Sequence, residues 1–166
     1  MTSEAAMYGA IVRGDVEAVQ DLLRSDPPLL HASKVGKNWL HWAAQRGNTD
    51  IAQMLVDAGL EVDSRTDDGT STALDIAAGL GRVETCRWLI KHNADVNQGF
   101  GQTATPIFSA IYGKSLEVVT LLADHGASLD AKFGEPAIDV LSYAKQYGTP
   151  EIVAFIQQEM ASPSIP

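Results

Sequence analysis

The sequence predicts an all-α solenoid in which five helix–turn–helix units stack and short β-hairpin-like turns join them. The first reason is a period of 33 or 34 residues between the apolar residues that open each unit: Met7, Leu40, Leu74, Ile107 and Leu141. A glycine follows four of these residues at a distance of seven, and an acidic residue follows all five at a distance of ten. Self-similarity at such a fixed period is typical of repeat architectures.

Each unit reads as a short helix, a tight turn and a longer helix. The first helix is rich in alanine, as in Ala43-Ala44 and Ala77-Ala78, and small residues let helices of successive units approach closely. The second helix carries larger apolar residues, as in Met54-Leu55-Val56, and a Gly or Asn ends it. A second glycine series, suited to tight turns, precedes the openers: Gly36, Gly69, Gly101 and Gly134. One such unit cannot bury its own apolar face, so stability must come from stacking.

These features together resemble the ankyrin-repeat family, whose unit reads G-x-T-P-L-H-x-A-A-x-x-G-H-x-E-V-V-x-x-L-L-x-x-G-A-D-V-N. The resemblance covers about residues 5 to 159 and implies a single domain, 1–160, followed by a flexible tail at 161–166. The implied repeats are 5–35, 36–68, 69–101, 102–134 and 135–160. The Thr-Pro-Leu-His motif is altered, for example to Asn38-Trp39-Leu40-His41 and Thr72-Ala73-Leu74-Asp75, which weakens hydrogen bonding at these helix starts.

The composition excludes several functional classes. A net charge of −9 with 12 scattered basic residues argues against nucleic-acid binding, which needs clustered cations. The apolar runs are far shorter than the roughly 18 residues that a membrane span needs. The N-terminal residues show no secretory signal, and the single cysteine, Cys86, fits a reducing compartment. We therefore expect a cytoplasmic protein.

The charges divide between the two halves of the units. The second helices and their closing loops hold 15 of the 21 acidic residues and 5 of the 12 basic ones, whereas the rest of the chain is near neutral. Two interpretations stay open for the acidic side: a solvated back, which we favour, or a docking face for a basic partner. The resemblance implies that partners dock on the protruding turns and on a concave surface formed by the first helices.

The candidate contact residues lie on that implied surface. The protruding turns 1 to 4 are defined here as residues 34–37, 66–69, 99–101 and 132–134. Phe100 and Phe133 hold the same repeat position, and each either anchors a partner or folds back onto its own unit. Trp42, Trp88 and Cys86 fall at inward positions and are expected in the core. The predicted partner-binding residues are Lys34, Lys37, Trp39, Arg46, Leu80, Phe100, Tyr112, Phe133 and Tyr147.

Catalytic and cofactor motifs are not recognisable in the sequence. The four histidines lack metal-ligand spacing, and there is no phosphate-binding, dinucleotide or nucleophile-elbow motif. We therefore expect no enzyme, no cofactor and no metal. The prediction is a monomeric protein–protein interaction module with a protein partner and no nucleic acid or membrane. The alternative is a dedicated cytosolic inhibitor or immunity-type protein that neutralises a toxin or enzyme.

Overall fold

The computed structural model describes residues 2–99 and 104–161, and that part of the chain is mainly helical. Its ten α-helices are α1 Ser3–Arg13, α2 Val16–Ser25, α3 Trp39–Arg46, α4 Thr49–Asp57, α5 Ala73–Gly79, α6 Val83–Lys91, α7 Pro106–Tyr112, α8 Leu116–Asp124, α9 Val140–Tyr147 and α10 Pro150–Ala161, and a short 3-10 helix spans Pro27–His31. One hairpin pairs β1, Lys132–Phe133, with β2, Ile138–Asp139. The predicted all-α solenoid with hairpin-like turns is confirmed. Phe100 and most of the expected tail lie outside the described residues.

The helices form two layers. The odd-numbered first helices each contact the next one along the stack, the even-numbered second helices do the same, and each first helix packs against its own second helix. The core lies between the layers, where the unit openers Met7, Leu40, Leu74 and Ile107 are buried. In the last unit Val140 is fully buried and Leu141 only partly so, which shifts the buried position by one residue.

The repeated acidic residues have a local structural reason. Glu17, Asp50, Glu84, Glu117 and Glu151 each lie in the first turn of a second helix. A carboxylate is stabilised there by the positive end of the helix dipole. At the opposite ends of α6 and α8, Nδ1 of His92 and of His125 lies 2.7 Å from the Trp88 carbonyl oxygen and 2.8 Å from that of Leu121. The ring nitrogens thus add side-chain bonds at the helix ends, and the Trp88 carbonyl also accepts from the His92 backbone N–H at 3.1 Å.

The turn between the two helices of a unit repeats one backbone conformation in four units. Gly14, Gly47 and Gly81 adopt left-handed φ angles of 71°, 79° and 64°. Lys114 takes the same position in the fourth unit with a φ of 57°. In each case the next backbone N–H donates to a carbonyl five residues earlier, for example Ser115 to Ala110 at 3.2 Å. The stack therefore imposes the left-handed conformation even where the residue carries a side chain that disfavours it.

The fourth unit has its glycine one place earlier for a separate reason. A Cβ on Gly113 would lie 2.4 Å from the carbonyl oxygen of Gly79, at the contact between α5 and α7. Only glycine permits this approach of two backbones. The shifted glycine therefore sets the distance between the third and fourth units where α5 contacts α7.

Replacing Lys114 with glycine is expected to stabilise the protein. The left-handed conformation costs a residue with a Cβ about 1 kcal/mol, part of which the greater freedom of glycine in the unfolded chain offsets. We expect a gain of about 0.5 kcal/mol in the free energy of unfolding, measured by urea denaturation. The matched control is Gly81→Lys, which places the same side chain in the same conformation one unit earlier and should be destabilising. A Lys114→Gly variant less stable than the original would contradict the strain.

Replacing Gly113 with alanine is expected to destabilise the stack by about 2 kcal/mol or more, because the added methyl group meets backbone that cannot yield locally. Gly79→Ala is the control, since its Cβ would meet Ser109 only at ordinary contact distances of 3.7 and 3.8 Å. That change should be neutral or slightly stabilising, as for glycine to alanine in a helix. Thermal unfolding of both variants tests the difference, and equal effects would refute the close approach.

Candidate functional site

Five aromatic side chains meet on the first-helix side of the last two units. We call Phe108, Tyr112, Phe133, Tyr143 and Tyr147 the aromatic cluster. Phe108 contacts Phe133 with ring centroids 4.6 Å apart and Tyr143 at 5.2 Å. Tyr147 lies 4.5 Å from Tyr143 and 6.1 Å from Tyr112. The edge-on and tilted geometries are those that aromatic pairs prefer, so the cluster is a packed surface.

The aromatic cluster borders an open groove of about 350 Å³. As far as the chain is described, its lining residues are small, aromatic or hydroxyl-bearing: Gly79, Ala104, Phe108, Ser109, Tyr112, Phe133 and Tyr143. Tyr112 is 65% exposed beside it, and Leu80, at the end of α5, is 51% exposed. Burial raises the pKa of Tyr143, and the neighbouring Tyr147 and Tyr112 add to this, so its hydroxyl remains a donor at neutral pH. The groove can receive an apolar group and donate hydrogen bonds at its rim.

Phe133 folds back onto its neighbours, which is one of the two alternatives that the sequence left open. Its ring is half-buried because it folds back onto Phe108 and Tyr143, yet it still lines the groove. Strand β1 carries it, and Phe133 faces Ile138 of β2 in the hairpin register. The equivalent Phe100 of protruding turn 3 lies outside the described residues.

Three basic side chains lie on the surface of the first two units. Nζ of Lys34 lies 5.6 Å from the ring centre of Tyr8, and Nζ of Lys37 lies 4.9 Å from that of Trp42. Lys37 also donates a 2.9 Å hydrogen bond to Oε1 of Gln45. Arg46 is exposed at the end of α3. We call Lys34, Lys37 and Arg46 the basic patch; cation–π contacts orient two of its three members.

Trp39 is a correction to the predicted surface. Its side chain is fully buried, with 0% exposure, and its indole Nε1 donates a 2.6 Å hydrogen bond to the carbonyl oxygen of Leu29. At the first position of α3 the indole points into the preceding unit, so it supports the stack and cannot touch a partner. Trp42 and Cys86 are buried as expected. Trp88, expected in the core, is only half-buried and stacks on the ring of His92 at 4.0 Å.

Two surface residues were missed by the sequence reasoning. Tyr143 belongs to the aromatic cluster, and its spacing of four residues from Tyr147 on one helix was a signal that could have found it. Val35 is 83% exposed at the tip of protruding turn 1. Its φ of 52° is rare for a β-branched residue, and the turn is closed by paired hydrogen bonds between Lys34 and Lys37. Nothing in the sequence indicates that a valine adopts this conformation.

The histidine position of the repeat motif is His41 in the second unit and Asp75 in the third, and the two side chains differ in their hydrogen bonding. His41 is buried, accepts from the Asn38 N–H through Nδ1, and places Nε2 3.0 Å from the Ser64 carbonyl oxygen. Asp75 takes the equivalent place and is 7% exposed. Its Oδ2 accepts from the N–H and the hydroxyl of Thr72, each at 2.8 Å, while Oδ1 has no hydrogen-bond partner among the described residues. Burial outweighs these bonds and raises the pKa of Asp75 to about 6.

Across 2–99 and 104–161, no three His, Cys, Asp or Glu side chains come close enough together to hold a metal ion. Within the same ranges, no helix has both the length and the apolar character that crossing a membrane requires.

Comparison with known protein families gives a clear match. The family model described as ankyrin repeats, in three copies, matches residues 6–100 and 72–133. The matched region therefore extends over well more than half of the chain. It includes the basic patch, Leu80, Tyr112 and Phe133, whereas Tyr143 and Tyr147 lie beyond it.

Several curated proteins are similar to this chain at low identity. A putative ankyrin repeat-containing protein of Treponema pallidum is 26% identical over 155 residues, covering 92% of this chain and 51% of its own length. The transient receptor potential cation channel subfamily A member 1 homolog of Caenorhabditis elegans is 27% identical over 140 residues, which are 82% of this chain and 11% of the channel. Human ankyrin repeat and SOCS box protein 16 is 25% identical over 153 residues, covering 80% and 33%. The chain thus spans about half or less of these relatives.

The buried carboxyl of Asp75 predicts a pH-dependent stability. Its pKa is about 6 in the folded state against 3.8 for an ordinary Asp, so the folded state binds more protons between these values. The free energy of unfolding should therefore fall as pH rises from about 4 to above 6, by about 3 kcal/mol for this residue alone. Asp75→Asn removes the titration, and its stability relative to wild type should rise over that interval in urea denaturation series.

Asp139→Asn is the matched control for Asp75→Asn. Asp139 is a half-buried helix cap whose pKa is lowered by hydrogen bonds from Ser142, so its contribution is present at neutral pH and lost on acidification. This variant should therefore lose stability relative to wild type as pH rises, the opposite trend. Parallel trends for the two variants would contradict the buried, partly unsatisfied state of Asp75.

Proposed function

Because this chain belongs to the ankyrin-repeat family, whose repeats are generally protein–protein interaction modules, we propose that it binds a protein partner through its first-helix side and protruding turns. The observation that supports this most directly is the aromatic cluster with its groove. Surface patches rich in Tyr and Arg, with few carboxylates among them, are typical of recognition sites. The first-helix side carries Tyr112 at the end of α7, Tyr147 at the end of α9 and Arg46 at the end of α3, which supports the proposal.

The roles of the candidate residues differ in this proposal. Tyr112, with 65% of its surface exposed, and Tyr147 are the anchors, because they present large rigid rings supported by other rings. Leu80 extends the apolar contact toward the middle of the stack. Phe133 holds the groove open from the side of protruding turn 4. Lys34, Lys37 and Arg46 contribute at the other end of the surface, where they orient an approaching partner.

The acidic second-helix side serves solubility in this proposal. Its carboxylates lie at helix starts and in closing loops, where the repeat itself requires them. A net negative back also keeps copies of the chain apart, in keeping with a monomer. A cytoplasmic location is part of the same proposal and rests on the single cysteine, Cys86, which cannot form a disulfide within the chain.

The inhibitor alternative uses the same surface and differs only in its consequence for the partner. An adaptor leaves the activity of a saturated partner unchanged, whereas an inhibitor covers the partner's active site. A turnover assay of the co-purified partner, with and without saturating amounts of this protein, separates the two functions.

Removing the two anchor rings tests the proposed surface. A partner is first isolated on the tagged wild-type protein, and its affinity is then measured for the double variant Tyr112→Ser/Tyr147→Ser. We expect a loss of more than about 2 kcal/mol, roughly thirtyfold, because exposed aromatic anchors dominate binding energy. Leu116→Ser/Met160→Ser is the matched control, since it removes two exposed apolar side chains from second helices. Wild-type affinity in the tyrosine variant, with an unchanged helical circular-dichroism spectrum, would refute this surface.

A further inference from the structure

The basic patch and the aromatic cluster occupy opposite ends of one surface, and this arrangement indicates the chemistry of what binds. Resting on the proposed function, we infer that the partner contributes an extended segment with carboxylates at one end and an aromatic or branched aliphatic residue at the other. The carboxylates pair with the basic patch, and the apolar residue enters the groove beside Tyr112 and Tyr143.

The cations of the basic patch are not neutralised within the described structure. The ion pairs found among the described residues join Arg13 to Asp15, Arg24 to Asp21 and Arg87 to Glu84. None of them involves Lys34, Lys37 or Arg46. The cation–π contacts hold Lys34 and Lys37 in place without removing their charge. These side chains are therefore positioned to receive carboxylates from outside.

The nearest acidic residues of protruding turn 2 are already engaged. Asp67 accepts from the Ser33 hydroxyl at 3.1 Å, and its N–H donates to the Gly36 carbonyl at 2.8 Å. Asp68 Oδ1 accepts from both the N–H and the hydroxyl of Thr70 and from the Thr66 hydroxyl. These bonds fix the two carboxylates in the turn and link it to protruding turn 1. Hydrogen bonds do not cancel the charge of a carboxylate, and Asp67 and Asp68 line one pocket with Lys37, so an acidic segment is repelled on that side and follows the first helices instead.

The opposite end of the surface selects an uncharged group. The described lining of the groove contains no ionised side chain, and a charge placed among Phe108, Phe133 and Tyr143 would lose hydration without gaining a partner. An aromatic or branched aliphatic side chain gains contact with three rings instead. The tyrosine hydroxyls at the rim remain available for the backbone carbonyls of an extended chain.

The stack sets the separation between these two features. Packed helices lie about 8–10 Å apart, and two or three such steps separate α3 from α7 and α9. The distance along the surface is therefore about 16–30 Å, which an extended chain at about 3.3 Å per residue covers in roughly five to nine residues. A single linear segment can reach both ends. A nucleic acid fits less well, because the basic patch has three cations on a chain whose net charge is −9. The rings described beside the patch, Trp42 and Tyr8, already contact its lysines.

Phage display of random 16-residue peptides on the immobilised wild-type protein tests this inference. Selected sequences should be enriched in Asp and Glu placed five to nine residues from Phe, Tyr, Trp, Leu or Ile. A synthetic peptide from that selection should bind Lys34→Glu/Arg46→Glu at least tenfold more weakly by fluorescence anisotropy, and the loss should shrink as NaCl is raised. Arg87→Glu/Lys91→Glu, with the same change of net charge on α6, should bind it with at most a twofold loss.

The outcomes distinguish this inference from the proposed function. Selected peptides without acidic enrichment, or a library that yields no sequence above background, would overturn the proposed partner chemistry. So would equal losses in the two charge-reversal variants, or tighter binding of a single-stranded oligonucleotide of similar length. If the tyrosine variant still bound the natural partner with full affinity, the surface itself would be wrong. If the tyrosine variant lost the partner but the selected peptides showed no acidic enrichment, the proposed surface would stand. Only the inference of an acidic segment would then be wrong.

Discussion

Stacking of neighbouring first helices is the constraint on which the rest of this structure depends. No unit can bury its apolar face alone, so each first helix must come close enough to the next for their backbones nearly to touch. Alanines provide this approach in most units, and Gly113 against Gly79 provides it between the third and fourth. The same approach brings Tyr112 of α7 beside Tyr147 of α9. The packing that stabilises the fold therefore also builds the candidate binding surface.

Side chains that reach from one unit into the next complete the packing where the repeat motif is altered. Trp39 of the second unit inserts beneath the first, and its indole bonds to the Leu29 carbonyl. His41 links α3 to the loop after α4 through Ser64. Asn48 donates from its side chain to the Ile11 carbonyl at 2.7 Å. The helix starts themselves keep their hydrogen bonds, contrary to the expectation from the altered motif, because Asn38 with His41 and Thr72 with Asp75 each form a reciprocal capping box. The third unit nevertheless retains a buried carboxyl oxygen without a hydrogen-bond partner among the described residues.

The fold and much of the candidate surface were predictable because both follow from repetition. The period placed the openers, the turn glycines and the acidic helix starts, and comparing one unit with the next pointed to Tyr112, Phe133 and Tyr147. Residues that depart from the repeat were the difficult ones. Trp39 occupies a position where a proline is usual, so nothing in the pattern tells whether an indole turns outward or into the preceding unit. Lys114 and Val35 take left-handed conformations that the surrounding backbone imposes, and a local residue preference points the other way.

The hydrogen bonds between units have a consequence for cooperativity. Ser33 bonds to Asp67, Asn97 to Gly126 and Ser128, and Asn48 to Ile11, so each of these bonds joins a unit only to its immediate neighbour. Unfolding of one unit is then coupled directly only to its neighbours, as in a linear chain of coupled elements. A bound segment that reached from the second unit to the fifth would be a contact of a different kind. It would couple the second unit directly to the fifth. We therefore expect the units between them to unfold in one cooperative transition when the segment is bound.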